Sequence, residues 1–258
     1  MKQIHDFTVT GIEPLLFNDF ELYVSLDKDL EPIYPGQFVN VLVPDTQKTF
    51  LRRPISICDV DYRARKLRFY IRIVGNGTQR LSKLQKGDKL NILYPLGNSF
   101  TVEQVERPLL IGGGCGIAPL FYLAKNFARN NIRPTVLTGG QTAEALSWIN
   151  DFETFADLHR ITNDGSMGEQ GLITDHSILK KIKNFDRIYT CGPEAMMKAV
   201  AKMAVVADIP CELSLENTMA CGIGACLCCV TETVLGNQCV CTDGPIFDVH
   251  KLKNFIKT

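Results

Sequence analysis

From Cys221 to Cys241 the chain carries six cysteines, three of them in the order Cys221-x4-Cys226-x2-Cys229, and eleven residues separate Cys229 from Cys241. No other feature constrains the fold as strongly. A chain that gathers thiolates must hold a stiff loop around whatever they bind. The spacing matches the plant-type [2Fe–2S] pattern, in which three thiolates come from one loop and the fourth from a later segment. Such a loop aims thiolates inward while backbone N–H groups point at sulfur, and Gly222 and Gly224 permit the backbone angles this needs. Structural zinc sites use paired CxxC knuckles or Cys/His sets, and only one ligand-like CxxC pair is present. Cys221, Cys226, Cys229 and Cys241 are therefore the expected metal ligands. Cys228 and Cys239 are left over. On a strand, Cys239 and Cys241 would share a face. The turn-forming Asp243-Gly244-Pro245 directly after Cys241 favours Cys241 as the fourth ligand.

The ten cysteines are not expected to form disulfides. The start, MKQIHDFTVTG, has no apolar export core, and cytosolic thiols stay reduced, so a cytoplasmic protein is expected. Lys+Arg 28 against Asp+Glu 28 leaves no basic excess for nucleic acid. The most apolar stretch, Leu109 to Ala124, is too short to span a bilayer and is rich in glycine. It reads as a buried strand–turn–helix rather than a membrane segment.

The first hundred residues read as short strands: Gln3–Thr10, Phe20–Leu26, Gln37–Val43, Ile55–Val60, Lys66–Val74 and Lys89–Leu93. Turns such as Tyr34-Pro35-Gly36 separate them, and one helix is expected near Gln79–Gln85. This predicts a small antiparallel barrel. Beyond Pro108, strands (Pro108–Ile111, Pro134–Thr138, His159–Thr162, Arg187–Cys191) alternate with helical patterns (Pro119–Asn130, Ala143–Ala156, Ser177–Lys183, Glu194–Ala207). That rhythm predicts a doubly wound parallel sheet. The last fifty residues break it and hold the cysteines with two short strands, Val230–Val234 and Gln238–Cys241. The expected fold class is thus multidomain β plus α/β, with domains at 1–101, 102–210 and 211–258.

Three further motifs can carry chemistry. In Arg52-Arg53-Pro54-Ile55-Ser56, an arginine can pair with a pyrophosphate and the serine can reach a ring nitrogen. Taken alone it reads first as an exposed arginine pair at a strand end, and it gains weight from the turn that follows. Gly75-Asn76-Gly77-Thr78 precedes a helix, where backbone N–H groups form an anion site or a threonine caps a plain turn. Gly112-Gly113-Gly114-Cys115-Gly116-Ile117-Ala118-Pro119 lies between strand and helix, the context of a dinucleotide loop, without a clean GxGxxG. Cys191-Gly192-Pro193 is a second such turn on the same sheet edge. Both turns are also consistent with mere tight packing. No acidic residue ends the second strand, and Gln141 stands where an arginine would meet a 2′-phosphate, which leans toward NAD. No Ser/His/Asp set or carboxylate pair is present, and no catalytic acid–base residue is assigned.

In this order, the motifs resemble the ferredoxin-reductase superfamily and, within it, the electron-transfer subunits of NAD-dependent dihydroorotate dehydrogenases. Arg53-Pro54-Ile55-Ser56 and Cys221-Gly222-Ile223-Gly224-Ala225-Cys226 carry the resemblance most specifically. It implies an FAD-binding barrel, a Rossmann-like NAD-binding domain and a small [2Fe–2S] domain. It implies FAD contacts at Arg53, Pro54, Ile55 and Ser56, at Tyr70, Ile71 and Arg72, and at Gly77 and Thr78. The nicotinamide nucleotide would meet Gly113, Gly114 and Gly116, with Cys191, Gly192 and Pro193. It also implies an FMN-bearing dihydroorotate dehydrogenase subunit as partner, in a heterotetramer serving pyrimidine synthesis. That partner would hold the catalytic acid–base residue.

Two departures bear on this. Relatives place a tyrosine before the serine to cover the flavin, where this chain has Ile55, so another group must cover that ring face. Relatives serving other acceptors replace the first cluster cysteine with aspartate, so Cys221 favours the dihydroorotate subunits. The alternative is a stand-alone NAD(P)H reductase serving ferredoxin or another acceptor.

Overall fold

The computed structural model describes residues 2–44, 49–146 and 148–256. Its first sheet is built from β1 (Gln3–Pro14), β2 (Asp19–Ser25), β3 (Phe38–Val41), β4 (Arg53–Ser56), β5 (Asp59–Asp61), β6 (Lys66–Arg72) and β7 (Lys89–Leu96). The order is β4-β3-β7-β1-β2-β6-β5, and every neighbouring pair is antiparallel. Alternate residues such as Phe7, Val9, Leu22, Val24, Val39, Val41, Leu90 and Ile92 turn inward and form one buried core.

The run Ile55–Val60, expected as one strand, is two. Ile57 N–H still donates to Gln37 O at 3.1 Å, on the β3 side, whereas Cys58 N–H donates to Arg68 O at 2.9 Å, on the β6 side. The chain thus passes from one edge of the sheet to the other within two residues, and the edges meet there as a barrel. Residue periodicity cannot reveal such a change of partner, because both halves are equally apolar and β-prone. The expected helix is the shorter α1 (Asn76–Leu81).

The second sheet contains β8 (Pro108–Gly113), β9 (Thr135–Gly140), β10 (Asp157–Thr162), β11 (Glu169–Gln170), β12 (Arg187–Cys191) and β13 (Cys211–Ser214), all parallel. Its helices include α2 (Ala118–Arg129) and α3 (Glu194–Ala207). The segments expected as helices at Ala143–Ala156 and Ser177–Lys183 are short 3-10 turns. A hairpin of β14 (Val230–Thr233) and β15 (Gly236–Cys239) then carries the cysteine segment. After it, β16 (Ile246–Asp248) pairs antiparallel with β13 and extends the α/β sheet, before the short α4 (Lys253–Ile256). The order is β11-β10-β9-β8-β12-β13-β16. It reverses direction at β8/β12, the place where open α/β sheets bind ligands. No described helix is long and apolar enough to cross a membrane.

The barrel and the α/β unit share polar and aromatic contacts. Arg68 on β6 donates to Glu21 Oε1 from Nε at 2.8 Å and reaches Asp151 at 2.9 Å, with its guanidinium over the Phe121 ring at 5.0 Å. Tyr70 stacks on Trp148 with centroids 4.3 Å apart. The Arg68 and Glu21 side chains are only 15% and 4% exposed, so removing one strands a buried charge. Arg68→Met should cost about 3–5 kcal/mol in urea unfolding, and the double variant Arg68→Met, Glu21→Leu should recover part of that loss.

Candidate functional site

The Arg53–Ser56 and Tyr70–Arg72 motifs converge because β4 and β6 come together across the barrel seam. A cleft of about 570 Å³ is lined by Arg53, Pro54, Ile55, Ser56, Tyr70, Ile71, Arg72 and Thr78. Gly77 supports this wall: a Cβ there would lie 2.7 Å from Arg53 Nε. The Thr78 hydroxyl accepts from Val74 N–H at 2.9 Å and donates to Gly75 O at 3.1 Å, which fixes the turn ahead of α1. Phe38, Met219, Glu216 and Asn217 are among the other residues that line the cleft, and none of them belongs to a sequence motif. Phe38, Tyr70 and Met219 are bulky side chains of this lining that would be available to cover a ring held there.

Arg72 is held on one edge by Asp19, with Nε to Oδ1 at 2.8 Å and Nη2 to Oδ2 at 2.9 Å. The Asp19 carboxylate also takes the Tyr70 hydroxyl. These hydrogen bonds from Arg72 to Asp19 push the guanidinium pKa up, so Arg72 stays charged. Its Nη1 points at Gly114, where a Cβ would sit 3.3 Å away.

Two more clefts open at the β8/β12 edge. One, of about 440 Å³, is lined by Gly113, Gly114, Gln141, Asn163, Pro193, Arg72 and Phe17 among others. The other, of about 500 Å³, is lined by Gly114, Cys115, Gly116, Gly192, Pro193, Arg72 and Glu216 among others. The glycines follow from packing. A Cβ on Gly116 would lie 2.5 Å from the Cys191 carbonyl, and one on Gly113 would lie 2.5 Å from Met196 Sδ. The Cys191 side chain is buried and only its backbone supports the Gly116 turn. Glu216 lines both this cleft and the barrel cleft, and desolvation raises its carboxyl pKa. It belongs to no sequence motif, and only the fold brings it to both clefts.

The cysteines are arranged in two pairs. Cys221 Sγ accepts from the N–H groups of Ile223 and Cys226, each at 3.4 Å. These hydrogen bonds, Ile223 first, lower its thiol pKa to about 6, and the Cys226 thiol adds to the effect. Cys241 Sγ accepts from Gly224 N–H at 3.2 Å, and Cys241 N–H points at Cys229 Sγ at 3.4 Å. Burial, then a hydrogen bond with Cys229, raises the Cys241 thiol to about 12. No three described His, Cys, Asp or Glu side chains converge on one ion position. A two-iron cluster with four cysteines does not need that convergence, and two thiol pairs ringed by backbone N–H groups suit its chemistry.

Cys239 ends β15 and Cys241 lies in the following turn, so they do not share a strand face. Cys239 is also close enough to Cys229 for that thiol to raise its pKa, after burial. What sets Cys241 apart is the N–H it receives from Gly224 inside the loop. The turn after it is tied to the barrel by Asn98. Asn98 Nδ2 donates to Asp243 O at 2.9 Å and Ile246 O at 2.8 Å, while Oδ1 accepts from Ile246 N–H at 2.9 Å.

Gly77→Val should displace the flexible Arg53 side chain rather than the backbone. Since the resemblance places FAD in this cleft, the expected result is a lower flavin-to-protein ratio in the purified chain, with an unchanged unfolding midpoint once both proteins are stripped of flavin.

Residues 216–253 match the model for the iron-sulfur cluster binding domain of dihydroorotate dehydrogenase B, and residues 110–202 match the oxidoreductase NAD-binding domain. A dihydroorotate dehydrogenase B (NAD(+)) electron transfer subunit from Geobacillus sp. (strain WCH70) is 39% identical, over 96% of this chain and 97% of that protein. Its counterpart from Fusobacterium nucleatum is 38% identical, over 95% and 96%. The solved structure of an NADH-dependent reduced ferredoxin-NADP oxidoreductase covers 96% of this chain and 89% of its own, with 27% identity and a TM-score of 0.86. Phthalate dioxygenase reductase, 17% identical with a TM-score of 0.62 over 78% of this chain and 64% of its own, shares the fold. The chain belongs to the family of dihydroorotate dehydrogenase B (NAD(+)) electron transfer subunits.

Proposed function

We propose that this chain is the oxidoreductase subunit that carries electrons from a partner FMN dihydroorotate dehydrogenase subunit to NAD+, in the synthesis of UMP. Cys221, Cys226, Cys229 and Cys241 hold a [2Fe–2S] cluster. Residues 1–101 hold FAD, 102–210 hold the nicotinamide nucleotide, and 211–258 form the cluster unit. The shared walls carry this reading. Phe38 lines the barrel cleft and belongs to the same buried cluster as Cys229 and Cys241, while Arg72 lines all three clefts. When bound, FAD exchanges single electrons with a cluster and paired electrons with a nicotinamide, so three carriers in a row are chemically consistent.

The chain's own residues bind and orient. Arg53 presents a guanidinium to the FAD pyrophosphate, which it can meet bidentately. Ser56 offers a hydroxyl to the flavin ring, and Phe38, Tyr70 and Met219 wall it from water. Gly113, Gly114 and Gly116 let the nicotinamide nucleotide approach the backbone, opposite Gly192 and Pro193. Dihydroorotate is oxidised on the partner, and this chain supplies no acid–base group for it. Free thiols ready to ligate iron suit the reducing cytoplasm.

The cluster loop exposes Ile223 at 49% and Leu227 at 65%, and the neighbouring hairpin tip exposes Leu235 at 71%. Large apolar side chains around an electron exit form the docking face for the FMN subunit, in a heterotetramer. Leu227→Asp should weaken assembly about tenfold, roughly 1.4 kcal/mol, by calorimetric titration of the two subunits. Cys221→Ser should abolish dihydroorotate-to-NAD+ transfer in the assembled complex while FAD stays bound. Full retention of that transfer would sink the mechanism.

A further inference from the structure

Strand β3 has two faces. Val39 and Val41 point into the barrel core, whereas Phe38 and Asn40 point outward. Asn40 is completely buried, and neither its Oδ1 nor its Nδ2 has a hydrogen-bond partner among the described residues. Its main chain is used, since Asn40 O accepts from Arg52 Nη1 at 3.2 Å. Other buried side chains leave one polar atom unpaired, but among the described residues Asn40 alone leaves two, and a buried amide without a partner is destabilising. The carboxamide therefore calls for a partner from outside the polypeptide.

Its direction identifies that partner. A Cβ on Gly222 would lie 2.2 Å from Asn40 Nδ2, with Leu96 Cδ1 next at 3.3 Å. Gly222 is buried, has φ +71, and stands between Cys221 and Ile223 in the cysteine loop. The amide is thus pressed against the loop beside Cys221, and Leu96 flanks the same glycine. An iron–sulfur cluster with four thiolate ligands is anionic and offers only hydrogen-bond acceptors. An asparagine amide beside such a group acts as a donor.

We propose that the Asn40 side-chain amide donates a hydrogen bond to a sulfur of the iron–sulfur group beside Cys221 and raises its reduction potential. This rests on the reading that the four cysteines hold that group. Reduction adds negative charge to the sulfurs, so a donor favours the reduced form, and hydrogen bonds to sulfur are a recognised lever on the potential. Because Phe38, two residues away on the same face, lines the flavin cleft, β3 would set the driving force of the step between cluster and flavin.

The test is an EPR-monitored redox titration of the full chain, purified anaerobically with FAD and cluster. Asn40→Leu should lower the cluster midpoint beyond the scatter of repeat titrations, at unchanged iron and flavin content. It should also remove an exchangeable-proton coupling from the electron–nuclear double-resonance spectrum of the reduced cluster. An intact cluster with an unchanged midpoint overturns the role of Asn40. Absence of cluster absorption in the unaltered chain overturns instead the reading on which it rests. If Asn40→Leu does not fold, the unaltered chain labelled with side-chain ¹⁵N asparagine serves. A ¹⁵N coupling to the cluster spin is then expected, and its absence overturns the proposal.

Discussion

A buried carboxylate must be fully paired or it destabilises everything around it. Asp19, only 4% exposed, meets that demand through Arg72 and Tyr70. Its position on β2, opposite Arg72 on β6, makes the pair a cross-strand contact. The consequences spread outward. Tyr70, fixed at its hydroxyl, lays its ring on Trp148 of the α/β unit. Arg72, fixed at one edge, presents the other to Gly114 at the end of β8. One carboxylate thereby holds the barrel against the parallel sheet and keeps a permanent positive charge where the clefts meet.

The cysteine segment depends on its neighbours in the same way. Its own secondary structure is a four-residue-stranded hairpin and turns, too little to form a core. Support comes from β16, which joins the α/β sheet, and from Asn98, which ties the turn after Cys241 to the end of the barrel. The thiol pairs are thus held by two other units of the fold. A ligand set drawn from separated positions becomes one site only when both flanks are fixed.

Much of this was readable from residues alone, for identifiable reasons. The alternation in β1, β2, β6 and β7, the parallel strands from Pro108 to Cys191 and the helices α2 and α3 follow local periodicities that the fold preserves, whereas the helical patterns at Ala143–Ala156 and Ser177–Lys183 become 3-10 turns. The motif at Arg53–Ser56 carries its own chemistry, and it meets in one cleft the Tyr70–Arg72 segment that only the family resemblance singled out. Contributions that depend on contact were hidden. Cys211–Ser214 is a strand because Ile188, Tyr189 and Thr190 pair with it, not because of its own pattern. Ile57–Cys58 changes partner without any change in character. Phe38 and Asn40 looked like two ordinary residues of a strand, and Glu216 belongs to no motif. None of these has a spacing rule, since each is defined by what lies across from it.

The register of β3 adds a constraint of another kind. Phe38 faces Leu96 on β7, yet Asn40 faces Leu93, so the partner strand carries one residue more than β3 over this stretch. Side chains alternate along a strand, so a slip of a single residue would exchange the faces of β3 and turn Val39 and Val41 outward. An insertion inside Phe38–Val41 would therefore uncouple flavin pocket and cysteine loop at one stroke, with every chemical group still present. The spacing between the two clefts' shared wall and the cysteine loop is in this sense counted in whole residues, along a strand of four buried positions.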